Sequence, residues 1–102
     1  MRHYVVAWRF RVAASSVAKF EQHYGPKGTW SMLFRKSEGY LGTLLLKDED
    51  DPLHYVTIDR WRSVEDYREF RVRFGREYSE LDGHCEALTT EETALGEYTE
   101  IT

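Results

Sequence analysis

Apolar and polar positions alternate from His3 to Val12. Tyr4, Val6, Trp8, Phe10 and Val12 make one face of a predicted strand; the other face starts apolar at Val5 and Ala7 and turns basic at Arg9 and Arg11. The period then changes. Beyond an N-cap at Ser15 or Ser16, Val17, Phe20 and Tyr24 recur at helical spacing, and Gly25-Pro26 stops the helix. Trp30, Leu33 and Phe34 predict a short helical turn. Tyr40 to Lys47 reads as a second strand, apolar on both faces through Leu44-Leu45-Leu46, and the charged run from Lys47 to Pro52 is a turn.

Leu53 to Trp61 is β-branched and aromatic, which favours a third strand. It passes almost directly into a helix. Ser63 and Asp66 have the spacing of a capping box, and Val64, Tyr67, Phe70 or Arg71, and Phe74 follow at helical spacing. Gly75 marks a break or kink. Arg76 to Leu88 continues as helix, interrupted near Asp82-Gly83, and Leu95 to Ile101 is the final strand.

The order β-α-β-β-α-β is the split βαβ of ferredoxin-like α+β folds: a four-stranded antiparallel sheet with both helices on one face. With 102 residues, the expectation is a single domain over 1–102. Two helices cover only one face, yet the first two strands are apolar on both. A bare apolar face of that size is unusual on a monomer, so a homodimer packed through the sheet face is expected.

Charge and composition narrow the partners. Lys and Arg number 14 against 18 Asp and Glu, a net charge of −4. A nucleic-acid footprint needs a basic face, and Leu53 to Trp61 does not match an RNA-binding strand pattern, so no nucleic-acid partner is expected. No apolar run approaches the roughly 18 residues of a membrane span, and the first residues lack the apolar core of a signal peptide. Cys85 is the single cysteine, which fits a reducing compartment. By elimination, the cytoplasm is the expected location. Aromatics make up 15% of the chain, rich enough for some rings to line a pocket.

On the segments Trp30 to Phe34, Gly39 to Leu46, Asp59 to Ser63 with Tyr67 and Phe70, and Leu95 to Tyr98, the chain resembles the antibiotic biosynthesis monooxygenase domain family of the dimeric α/β-barrel superfamily. The resemblance covers nearly the whole chain. It implies a dimeric barrel and an oxygenase that works without a cofactor on a phenolic or quinol-type aromatic. Other members oxidise quinols or degrade heme. The heme-degrading branch carries an asparagine on strand one, a tryptophan on the following helix and a histidine about ten residues later. The matching places here are Trp8, Phe70 and positions 78–80, all departures, so heme breakdown is not expected.

Alternation puts Trp8, Tyr55 and Trp61 on one side of their strands, with Phe70, Phe74 and Tyr78 facing them from the second helix and its extension. With Trp30 and Phe34 these are the candidate ring-binding residues, for a flat, apolar, polycyclic or smaller aromatic ligand. They serve equally as core. Among the four histidines, none has metal-ligand spacing, so neither a metal nor another cofactor is expected. His84, after the aromatic stripe, is the candidate base at the pocket mouth, with His54 second. Cys85 reads as a small buried thiol. A non-catalytic dimer binding a hydrophobic metabolite would share the pocket. A purely structural module would leave no cavity of roughly 300 Å³ or more.

Overall fold

The computed structural model describes residues 2–101. They form β1 (Tyr4–Val12), α1 (Val17–Tyr24), α2 (Thr29–Phe34), β2 (Tyr40–Lys47), β3 (His54–Trp61), α3 (Val64–Arg73), α4 (Gly75–Cys85) and β4 (Thr89–Thr99), with single 3-10 turns at Ala14–Ser16 and Glu86–Leu88. The sheet order is β2-β3-β1-β4, and every neighbouring pair is antiparallel. This is the ferredoxin-like α+β architecture expected from the alternation of periods.

Register explains the core. Tyr4 lies opposite Trp61 and Phe10 opposite Tyr55, so the even positions of β1 share a face with the odd positions of β3. Onto that face pack Phe20 and Tyr24 of α1, Leu33 and Phe34 of α2, and Phe70 of α3. Phe34 is edge-on to Trp61 with centroids 5.4 Å apart, and Phe20 stacks on Tyr24 at 4.3 Å.

The Ser63 cap forms. Its hydroxyl oxygen accepts the Asp66 backbone N–H and donates to the Asp66 carboxylate, which also takes a two-pronged contact from Arg62 at 2.8 and 3.1 Å. Gly39 lets this corner close. Its carbonyl accepts the Arg62 N–H at 2.7 Å, and a Cβ there would fall 2.4 Å from Cβ of Asp66.

Three boundaries differ from expectation. Phe74 leaves helical geometry at φ −113° and ψ 24°, so the break falls one residue ahead of Gly75. α4 runs unbroken through Asp82-Gly83; a glycine weakens a helix without ending it. β4 begins at Thr89, not Leu95, and ends at Thr99. Its first half, Thr89 to Ala94, is almost wholly polar and lies on an edge beside β1, so no apolar alternation betrays it.

The outer face of the sheet is divided. Ile58 of β3 lies between Ala7 of β1 and the half-exposed Leu44 of β2, and Val56 lies between Arg9 and the half-exposed Leu46, while Val5 is opposite Arg60. Charge flanks this apolar middle at both ends, Arg60 with Glu100 at one and Arg9, Arg11 and His54 at the other, with Asp51 against His54 at 3.2 Å. Gly42 and Gly96 sit at bulges on the two edge strands, both at φ 146°, a conformation that side chains disfavour.

Candidate functional site

On β3 the residues facing the helices are Tyr55, Thr57, Asp59 and Trp61. The two outer rings are fully buried in the core. Between them the shorter Thr57 and Asp59 leave room, and a cavity of about 230 Å³ lies there. Val6, Trp8 and Phe10 of β1 and Thr43 of β2 complete its floor. Trp30 and Phe34 of α2, Tyr24 of α1, Tyr67 and Arg71 of α3 and Tyr78 of α4 make the walls, and the exposed Asp82 and Glu92 stand at the rim. The volume is below the roughly 300 Å³ at which ligand pockets ordinarily begin. It therefore falls short of the size set above against a purely structural module, and it is too small for a large polycycle.

Asp59 sits deep in the protein and meets solvent through the cavity. Among the described residues its carboxylate has one hydrogen-bond partner, the Thr43 hydroxyl at 2.7 Å. Burial pushes its pKa up to about 6, while the Thr43 bond works the other way. From Thr43 the hydroxyls run on. Tyr40 contacts Thr43, Ser31 lies 3.1 Å from Tyr40, and Ser31, fully buried, donates to the Gly25 carbonyl at 3.1 Å.

Arg71 is the cation of the lining. Its guanidinium carbon is 3.8 Å from the ring centroid of Tyr78, and it donates to the Tyr67 hydroxyl at 2.9 Å. Burial raises the Tyr78 phenol to about 12 despite that neighbour. The Tyr24 phenol is pushed up further, by burial and then by Cys85. Cys85 is itself buried and its thiol raised by burial, the environment of an inert thiol.

The candidates from sequence separate. Trp8, Trp30, Phe34 and Tyr78 line the cavity. Tyr55, Trp61 and Phe70 are fully buried core rings outside the lining, and Tyr55 donates to Glu21. Phe74 packs beside Phe70 with Lys36 over its ring, also outside the lining. His84 is exposed near the far end of α4, its ring 5.7 Å from that of His23, and does not reach the cavity. His54 is on the opposite face of the sheet, 3.0 Å from Arg11. No histidine is among the lining residues. Sequence reading passed over Asp59, Thr43, Tyr67 and Arg71. For Asp59 the signal was present: it falls on the same alternating face as Tyr55 and Trp61, where a carboxylate has no reason to be if that face is only core.

Among the described residues no group of three or more His, Cys, Asp or Glu is arranged to hold a metal ion, and no helix is long and apolar enough to cross a membrane.

An antiparallel α+β sheet with an aromatic-walled cavity and an acid on its floor defines the class. The antibiotic biosynthesis monooxygenase family model matches residues 3–73, and the chain belongs to that family. Among solved structures, SnoaB, a cofactor-independent oxygenase from Streptomyces nogalater, superposes with a TM-score of 0.77 at 22% identity, covering 100% of this chain and 96% of that one. A candidate antibiotic biosynthesis monooxygenase from Bordetella bronchiseptica gives 0.74 at 19% identity with 100% of both chains covered. Another from Nitrosomonas europaea gives 0.73 at 14% identity, covering 97% of this chain and 90% of that one. At these identities the likeness is one of fold. Among curated proteins none is significantly similar to the chain.

Proposed function

We propose that the protein is a cofactor-independent monooxygenase acting on a small phenolic or quinol-type aromatic. The observation that carries this is Asp59, a carboxylate on the floor of an aromatic cavity with its pKa raised to about 6 by burial. A base poised near neutrality is what deprotonation of a phenol calls for. Family membership and the description of SnoaB as a cofactor-independent oxygenase support the same reading.

In this mechanism the ring lies among Trp8, Trp30, Phe34 and Tyr78. Asp59 takes the phenolic proton. Arg71, at the wall, draws the resulting negative charge. The phenolate is a far better electron donor than the phenol, and it reduces O₂ directly. One oxygen atom joins the ring to give a quinone, the other leaves as water, and all the electrons come from the substrate. The protein's share is to orient the ring, exclude bulk water and hold the proton.

We further propose that two protomers associate through the apolar part of the outer sheet face, around Leu44, Leu46, Val56 and Ile58. A second copy of the same chain suits this patch because its apolar middle is flanked by charge at both ends, Arg60 at one and Arg9 and Arg11 at the other, so that a two-fold contact would bury the middle and leave the charges at the rim. Together with the single buried cysteine this fits a cytoplasmic dimer.

The test is oxygen uptake over a panel of substituted phenols and hydroquinones, wild type against Asp59→Asn. Uptake by the wild type that falls at least a hundredfold in the variant supports the proposal. Ring binding without oxygen consumption by any member of the panel would make the protein a binding module instead.

A further inference from the structure

The hydroxyl chain behind Asp59 has a property that the cavity alone does not explain. It contains four contacts: Asp59 to Thr43, Thr43 to Tyr40, Tyr40 to Ser31, and Ser31 to the Gly25 carbonyl. Each needs one proton between its two oxygens. With Asp59 ionised, Thr43, Tyr40 and Ser31 supply three protons, and one contact must bring two oxygens together with nothing between them. With Asp59 neutral there are four protons for four contacts, all pointing from the carboxyl towards Gly25. The chain ends on a buried backbone carbonyl that already accepts the Gly28 N–H at 2.9 Å, so it offers the proton no exit.

We propose that Thr43, Tyr40 and Ser31 are positioning residues that tune Asp59 as a proton acceptor, Tyr40 and Ser31 acting through Thr43 to favour the protonated carboxyl. When Asp59 takes a proton from its partner in the cavity, the O–H bond of that partner breaks and a new one forms on the carboxyl. A half-turn about Cβ–Cγ presents the protonated oxygen to Thr43. Each hydroxyl then turns to donate one step onward, and the deficit disappears. Protonation is thus favoured by completion of a network that is one proton short at rest.

Other charges near Asp59 do not mimic this. Tyr24 faces the cavity from α1, Arg71 and Tyr67 from α3, Tyr78 and Asp82 from α4, and Glu92 from β4, while β1 contributes only Val6, Trp8 and Phe10 and α2 only Trp30 and Phe34. These groups are untouched by substitutions in the hydroxyl chain, so differences among such variants isolate the chain itself.

Proton counting gives opposite signs for different members. Removing the Tyr40 hydroxyl leaves two contacts, Asp59 to Thr43 and Ser31 to Gly25. The ionised state satisfies both, so Tyr40→Phe should lower the pKa of Asp59. Removing the Ser31 hydroxyl leaves Tyr40 donating to Thr43 and Thr43 to the carboxylate, again complete when Asp59 is ionised, so Ser31→Ala should lower it as well. Thr43→Val deletes the one donor to the carboxylate and should raise it. One hydrogen bond gained or lost corresponds to shifts of about half to one pH unit.

The measurement is a carbon-13 NMR titration of the Asp59 carboxyl in ligand-free wild type, Tyr40→Phe, Ser31→Ala and Thr43→Val, with amide spectra to establish that each variant is folded. Downward shifts for the first two variants and an upward shift for the third support the proposal. No shift in Tyr40→Phe and Ser31→Ala, or a rise in either, overturns it. Should one variant fail to fold, Tyr40→Phe and Ser31→Ala each test the same sign independently. No substrate is involved, so failure of the oxygenase reading would leave this result standing, and the reverse. Where turnover is found, the acid limb of the kcat/KM profile should move with the titrated value in the same order.

Discussion

The guanidinium of Arg71 lies 3.8 Å from the ring centre of Tyr78, across the gap between α3 and α4. One cation therefore caps an aromatic wall of the cavity and stays open to a ligand. Replacing Arg71 with alanine should raise KM for a phenolic substrate about tenfold, the effect of one cation–π or charge contact, with a smaller change in kcat. Arg71→Lys should recover little, because an ammonium cannot both cover the ring and reach the Tyr67 hydroxyl. Steady-state oxygen uptake measures both.

Asp59→Asn should stabilise the fold while abolishing turnover. The folded pKa of about 6 lies above the ordinary 3.8, so the folded state holds a proton that the unfolded chain has released. Stability contributed at this position is therefore greatest below about pH 4 and is lost as pH rises to about 6, then stays lost. The carboxamide removes that penalty and can donate to Thr43. Urea unfolding at pH 7.5 should show a gain of about 2 kcal/mol, vanishing towards pH 4. A variant that is less stable at neutral pH contradicts a carboxylate held in the protein by only one hydrogen bond, from Thr43.

Gly39→Ala should destabilise by about 1–3 kcal/mol, the range for an overfilled site. The new methyl would sit 2.4 Å from Cβ of Asp66, at the first turn of α3, where neither backbone can retreat without losing the Arg62 to Gly39 bond. Thermal melts of the two proteins measure this directly.

Leu44→Glu with Leu46→Glu should convert a dimer to a folded monomer. Both side chains are about half exposed on a single subunit, at 52% and 48%, so neither is needed by the protomer's own core. Light scattering at micromolar concentration reads the mass, and circular dichroism checks the fold. A monomeric wild type contradicts the proposed association.

His84→Ala should leave turnover within about twofold of wild type. The ring is exposed on α4 near His23 and has no path to the cavity floor.

Much of the architecture was legible because periods of two and of 3.6 are read directly from side-chain type. Tyr4 to Val12 and the Ser63 cap are plain instances. Thr89 to Ala94 was not, since an edge strand with polar groups on both faces carries no period. Four of the cavity residues, Trp8, Trp30, Phe34 and Tyr78, follow from their being large rings at positions that face the space between sheet and helices. The base proposed here does not. Histidine is favoured by its ordinary pKa, whereas Asp59 reaches the same range through burial, and burial is a property of packing between β2, β3 and α3. Tyr40 and Ser31 were legible only as members of the second strand and of the short helical turn; their hydroxyls gain meaning when three separate elements bring them into line.

The bulges at Gly42 and Gly96 lie on the two outermost strands, and each ejects a leucine, Leu41 and Leu95, that is 43% exposed. Both rims of the sheet are thereby kinked, and the β4 rim also carries Glu91, Glu92 and Glu97. Ladder growth from rim to rim, the route to fibrils, meets a bent and charged border. Copies of this chain are thereby steered away from open-ended sideways stacking.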